Sequence, residues 1–162
     1  MKEFKTFDIK IQVEVNVDTK CDSTELSTIS LAKMNNQSGR IIRAMSYNQL
    51  LSHKLAAWNE RELIRDLYDS YFLYDVLDEK LDIGILKKRL LKIEPAKGKD
   101  SIKSMTLGEF ISKIEMYVKE LTFEDVSFEL KDYLNQEELI GLDKKIKIAI
   151  KSLISDLKTN DN

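Results

Sequence analysis

The densest run of side chains able to do chemistry is LLSHKLAAWNERELIRDLYDSYFLYDVL, residues 50–77. On a continuous helix Arg61, Arg65 and Asp69 fall at i, i+4 and i+8 and Glu62 faces Asp66. Cations and carboxylates then form neighbouring stripes beside an apolar stripe of Leu63, Leu67 and Tyr71. One account of this pattern is a surface ladder of ion pairs, each worth about 0.3–0.5 kcal/mol. The other starts from Lys54, one helix earlier, where a helix hairpin can aim its amine at the groove of Arg61, Arg65 and Asp66. A mobile lysine beside arginine forks is what phosphate oxygens recruit, so such a groove suits a polyphosphate.

Composition bounds the other chemistries. Cys21 is the only cysteine and His53 the only histidine, so no intramolecular disulfide, zinc cage or multi-histidine site can be built, and any metal must be held by carboxylates. The five glycines are never closer than ten residues apart, which excludes a Gly-rich phosphate cradle. His53 has no serine or cysteine partner at a recognisable spacing. Trp58, Tyr68, Tyr71, Phe72 and Tyr74 could stack bases, but at helical spacing they read as core. A net charge of -2 gives no global pull toward nucleic acid or membrane. Locally, residues 80–103 hold eight Lys/Arg and residues 124–143 seven Asp/Glu, so a basic and an acidic face are expected. The basic run from Lys87 to Lys103 could guide an RNA acceptor or simply be solvated. No apolar run nears the roughly 20 residues that cross a bilayer, and MKEFKTFD has no apolar signal core, so a cytoplasmic protein without membrane contact is expected.

The elements that must position these residues can be read in order. With 162 residues, 43% hydrophobic, and only five glycines and one proline, the chain reads as one domain, strand-rich over 1–45 and helical over 46–162. DIKIQVEVNVD, residues 8–18, alternates strictly and predicts a strand packed on one side. Residues 19–38 read as a loop with a short helical or strand segment near Leu26–Ala32, and Arg40–Met45 as a second strand. Ser46 with Gln49 predicts a capping box opening a helix, with Met45 stapled to Leu50 and a break near Asn59. A helix over 82–92 follows, then a Lys/Gly-rich connection. Capping boxes at Thr106 with Glu109, Thr122 with Asp125 and Asn135 with Glu138 open the last three helices, the final one running to about Leu157. Strands first and helices after predict an α+β fold, a small N-terminal sheet against a helical bundle.

At these residues the chain resembles the AbiEii/AbiGii nucleotidyltransferases, toxin components of two-gene bacterial systems. The family's signature is a helix with a Lys, a small-residue pair and an Arg, then Arg-Asp-Leu-Tyr-Asp. Lys54, Ala56, Ala57, Arg61, Arg65, Asp66, Leu67, Tyr68 and Asp69 fill those positions in order, followed by Tyr71 and Phe72. More loosely, the strand IQVEVNVD resembles the one that presents the family's third acidic residue, with Glu14 at that position. The resemblance implies a fold of the DNA polymerase β type and a reaction that moves a nucleotide from a nucleoside triphosphate to an acceptor hydroxyl such as a tRNA 3′ end. It implies catalytic roles for Glu14, Lys54 and Asp66, with Lys54 contacting the triphosphate and Asp66 orienting the lysine or the base-side contacts. Nucleotide contacts would come from Lys54, Arg61, Arg65 and Asp69.

The sequence also departs from the family. Members begin with a Gly-Gly-Thr or Gly-Ser turn followed by Asp-x-Asp on a strand, and neither motif occurs before Lys54. That pair holds two metal ions in this superfamily, and Glu14 alone is a weak metal ligand, so Mg²⁺ binding requires carboxylates from elsewhere. Two readings follow. In one, the chain is the C-terminal part of such an enzyme, truncated or split from an N-terminal fragment bearing the metal carboxylates. In the other, it is a non-catalytic protein-interaction domain of a toxin–antitoxin or phage-defence system, working by contact with a cognate antitoxin.

Overall fold

The computed structural model describes residues 23–91 and 104–160. The expected strand 8–18 with Glu14, Cys21, and the Lys/Gly-rich connection lie outside the described residues.

The described chain opens with a hairpin. Strand β1 (Ser23–Ser27) pairs antiparallel with β2 (Ile41–Met45), in register from Ser23 opposite Met45 to Ser27 opposite Ile41. Helix α1 (Ile29–Met34) fills the connection, so the segment expected near Leu26–Ala32 is a strand end followed by a helix. Thr28 closes the hairpin. Its backbone N–H donates to the Arg40 carbonyl at 2.9 Å, and its hydroxyl accepts from the Arg40 N–H at 2.9 Å. Gly39 has to be glycine here, because a Cβ would stand 2.5 Å from Ile29 Cγ1 and 2.8 Å from Ile29 Cα.

A bundle follows, in the order α2 (Tyr47–Arg61), α3 (Ile64–Tyr71), α4 (Ile83–Leu91), α5 (Leu107–Glu120), α6 (Phe123–Leu130), α7 (Gln136–Leu139) and α8 (Leu142–Asn160). A π-helical turn over Phe72–Val76 extends α3. The architecture is α+β, a small antiparallel sheet followed by a helical bundle. The core draws Leu51, Leu55 and Trp58 from α2, Leu67 from α3, Leu86 and Leu90 from α4, Phe110 and Ile114 from α5, and Ile146, Ile150 and Leu153 from α8, all at 1% exposure or less. Trp58 meets Phe110 and Tyr117 edge to face, at 6.1 and 5.2 Å between centroids. These are the separations at which ring edges and faces attract.

Three expected capping boxes form, at Thr106 with Glu109, Thr122 with Asp125 and Asn135 with Glu138. Each takes up N–H groups that the first turn of a helix leaves unpaired. The last opens only the four-residue α7. Gly141, at φ 71, ends that turn and α8 begins anew. Ser46 does stand at the N-cap of α2, but its box does not form. The Gln49 N–H goes to the Asn48 side chain at 2.8 Å, and Ser46 Oγ is buried without a partner.

Candidate functional site

The site lies at the junction of α2 and α3. Sequence phase alone puts the break between them near Asn59, but it falls at Glu62, which adopts the left-handed conformation at φ 55, ψ 37. A non-glycine residue there carries a penalty of about 1 kcal/mol or more. Lys113 of α5 offsets it. Its amine donates to the carbonyl and side-chain oxygens of Asn59, both at 3.1 Å, and pairs with Glu62 at 2.7 Å. The ammonium also lies 5.4 Å from the centre of the Trp58 ring. The next helix starts without a side-chain acceptor at its own N-cap, Leu63. Instead Glu129 of α6 accepts from the Ile64 N–H at 3.0 Å and the Arg65 N–H at 2.9 Å.

This break overturns the continuous ladder. Arg61 belongs to the last turn of α2 and is no longer in phase with Arg65 and Asp69, and Glu62 pairs with Lys113 rather than facing Asp66. Arg61 reaches across the junction instead. Its Nε and Nη2 donate to the two oxygens of Asp66, each at 2.7 Å. Asp66 sits in the first turn of α3 and Arg61 at the end of α2, so each charge also complements the nearby helix dipole.

Two turns before Arg61 on the same stripe, Lys54 points its amine at α3. Nζ stands 2.6 Å from Asp69 Oδ2 and 3.8 Å from Asp66 Oδ1. Asp66 is fully buried, whereas the side chains of Lys54, Asp69 and Arg61 are 29%, 37% and 42% exposed. The arrangement is a wet rim of two cations and one carboxylate around a dry carboxylate. Bonding to Asp66, then the field of its neighbours Glu60 and Asp69, raises the Arg61 guanidinium above its ordinary value against a partial burial penalty. The hydroxyl of Ser70 fixes the next turn by donating to the Asp66 carbonyl at 2.7 Å.

Of the residues singled out in the sequence, Lys54, Arg61, Asp66 and Asp69 come together. Arg65 lies apart. It lines a groove of about 460 Å³ between α3 and α6 with Leu63, Ile64, Phe128, Glu129 and Tyr133. Glu14 is outside the described residues. Lys113 and Glu129, which hold the junction, escape sequence reasoning because they act across 54 and 65 residues with no local signal.

His53 is not part of the cluster. Arg89 of α4 donates to His53 Nδ1 at 3.1 Å and to Glu60 at 2.6 Å. Accepting at Nδ1 requires the neutral ring, and burial first, then Arg89, lowers its pKa. Trp58 and Tyr71 are core, as expected, while Phe72 is exposed and the Tyr74 hydroxyl bonds Asp156 at 2.6 Å. Burial, then that bond, pushes the Tyr74 phenol up to about 12.

Both carboxylates of the cluster are engaged by cations, and among the described residues no group of three or more His, Cys, Asp or Glu could hold a metal ion. The described residues therefore do not fit a Mg²⁺ centre. No described helix is long and apolar enough to cross a membrane.

A family model for the nucleotidyl transferase AbiEii toxin, Type IV TA system, matches residues 6–155. No curated protein and no solved structure matches the chain. The matched span takes in the hairpin, the α2–α3 junction with all four clustered residues, and most of α8. This chain belongs to the AbiEii nucleotidyltransferase toxin family of type IV toxin–antitoxin systems.

Proposed function

We propose that the cluster at the α2–α3 junction holds the phosphates of a nucleoside triphosphate, in a toxin that moves a nucleotide to an acceptor hydroxyl such as a tRNA 3′ end. The observation that carries this reading is a partly exposed lysine amine, 3.8 Å from a fully buried carboxylate that an arginine fork holds in place. An amine so placed is preorganised, and it keeps donors for phosphate oxygens. Lys54 then contacts the triphosphate, Asp66 orients Lys54, and Arg61 fixes Asp66 while adding positive charge at the rim. In the reaction the acceptor oxygen bonds to the α-phosphorus, the bond from that phosphorus to the bridging oxygen breaks, and pyrophosphate leaves. The hydroxyl proton is lost to solvent or to a carboxylate. Carboxylates for Mg²⁺ have to come from beyond the cluster, from Glu14 or from a partner fragment.

The test is to incubate the chain with Mg²⁺, each labelled nucleoside triphosphate in turn and a tRNA pool. Label is expected on an acceptor with the wild-type chain and is expected to be lost with Lys54→Ala and Asp66→Ala. No transfer by the wild type with any nucleotide would remove the enzymatic reading for this chain acting alone. A second reading, protein contact with a cognate antitoxin, is favoured by the hairpin region. Met34, Ile41 and Ile42 are 82%, 69% and 47% exposed among the described residues, apolar side chains that a partner could cover. Co-purification of a co-expressed antitoxin, lost on Ile41→Lys, is the outcome that reading requires.

A further inference from the structure

We propose that the Asp69 carboxylate occupies a phosphate subsite: it sits on Lys54 where one phosphate group of a polyphosphate binds, and it has to be displaced before that phosphate enters. This rests on the polyphosphate reading of the cluster.

The two aspartates around Lys54 are not equivalent. Asp66 is fully buried and receives both nitrogens of the Arg61 fork at 2.7 Å, while standing 3.8 Å from the amine. Releasing it would strand a charge away from water, so this pair is the fixed wall of the site. Asp69 lies one turn further along α3, is more than a third exposed, and meets the amine at 2.6 Å. Among the described residues its one ion pair is with Lys54. A carboxylate and a phosphate present anionic oxygens to an ammonium in the same way, through short charge-assisted hydrogen bonds. The displaced Asp69 can turn into solvent, where a carboxylate is well hydrated, so exchange leaves no charge buried and unpaired. Lys54 thus has one partner it cannot exchange and one it can.

A cost in affinity follows from this exchange. An entering ligand must outcompete one negative charge already in place. A phosphomonoester brings only about -1.5 to -2 at neutral pH, and each further phosphate of a polyphosphate adds charge and oxygens for Arg61 to attract. Displacing Asp69 costs the same whichever ligand enters, so it lowers the affinity for a monophosphate and a triphosphate by a similar factor, and the further contacts of the triphosphate leave it the better binder.

The experiment is calorimetric titration of the full chain with tripolyphosphate, ATP and AMP at fixed ionic strength, for wild type, Asp69→Asn, Lys54→Ala and the double variant. Asp69→Asn is expected to tighten tripolyphosphate, ATP and AMP alike by about fivefold, the size set by one partly exposed ion pair. Lys54→Ala is expected to weaken all three, and Asp69→Asn to add nothing in its background. A wild type that binds and an Asp69→Asn variant that binds equally or more weakly would overturn the subsite while leaving the polyphosphate reading in place. Equal tightening in the Lys54→Ala background would also overturn it, since that is a general charge effect. Binding unaffected by Lys54→Ala would instead overturn the polyphosphate reading itself. Asp69→Ser, with unfolding followed by Trp58 fluorescence, separates any folding defect from these outcomes.

Discussion

At the scale of single residues, Asp66 is the member of the cluster with most at stake. It has no exposed surface, and Arg61 meets both of its carboxylate oxygens. Arg61→Ala leaves it with Lys54 at 3.8 Å alone. That change is expected to lower unfolding stability by about 2–3 kcal/mol, the range for a lost hydrogen-bonded charge pair. Lys54→Ala, which removes a partly exposed pair, is expected to lower it by under about 1 kcal/mol. Urea denaturation of the two variants checks the order. A Lys54→Ala variant less stable than Arg61→Ala would make Lys54 a structural cation and not a ligand-binding one.

At the scale of elements, the junction is built by partners distant in sequence. Lys113 tethers the end of α2 and Glu129 caps the start of α3, so α5 and α6 together decide that Asp66 and Asp69 face Lys54. Glu129→Ala removes a cap and is expected to lower stability by about 1–2 kcal/mol, with Glu129→Gln recovering part of it because an amide oxygen still accepts. Thermal unfolding checks this, and a Glu129→Ala variant as stable as wild type would mean that α3 starts without its help. The contrast with the other helix starts shows what sequence can carry. Thr106, Thr122 and Asn135 have their partners three residues on, and all three boxes form as read. Ser46 and Gln49 show the same spacing, yet the intervening Asn48 competes with its own side chain and wins the Gln49 N–H. The shift of the helix break from Asn59 to Glu62 has the same origin. Asn59 is buried and its oxygens are taken by Lys113, a residue that no local pattern connects to it.

At the scale of the whole molecule, the order of strands before helices was enough to predict the α+β class, because helix caps and apolar periodicity are local and abundant in this chain. The cluster was legible for a similar reason. Lys54, Arg61, Asp66 and Asp69 lie within a 16-residue stretch, and two short helices have few ways to face each other. Arg65 was misplaced because the phase of the ladder depends on where α2 stops, and a break between Arg61 and Arg65 turns the second arginine toward α6. The molecule thus presents two neighbouring cation-bearing surfaces, one around Lys54 and Arg61 and one around Arg65. The phosphates are proposed to bind at the first. Equilibrium dialysis of a labelled nucleoside triphosphate against the wild-type chain, Lys54→Ala and Arg65→Ala distinguishes them directly. Retention by wild type and Arg65→Ala with loss by Lys54→Ala is the result expected. Retention by Lys54→Ala with loss by Arg65→Ala would contradict the account and move the nucleotide to the groove between α3 and α6.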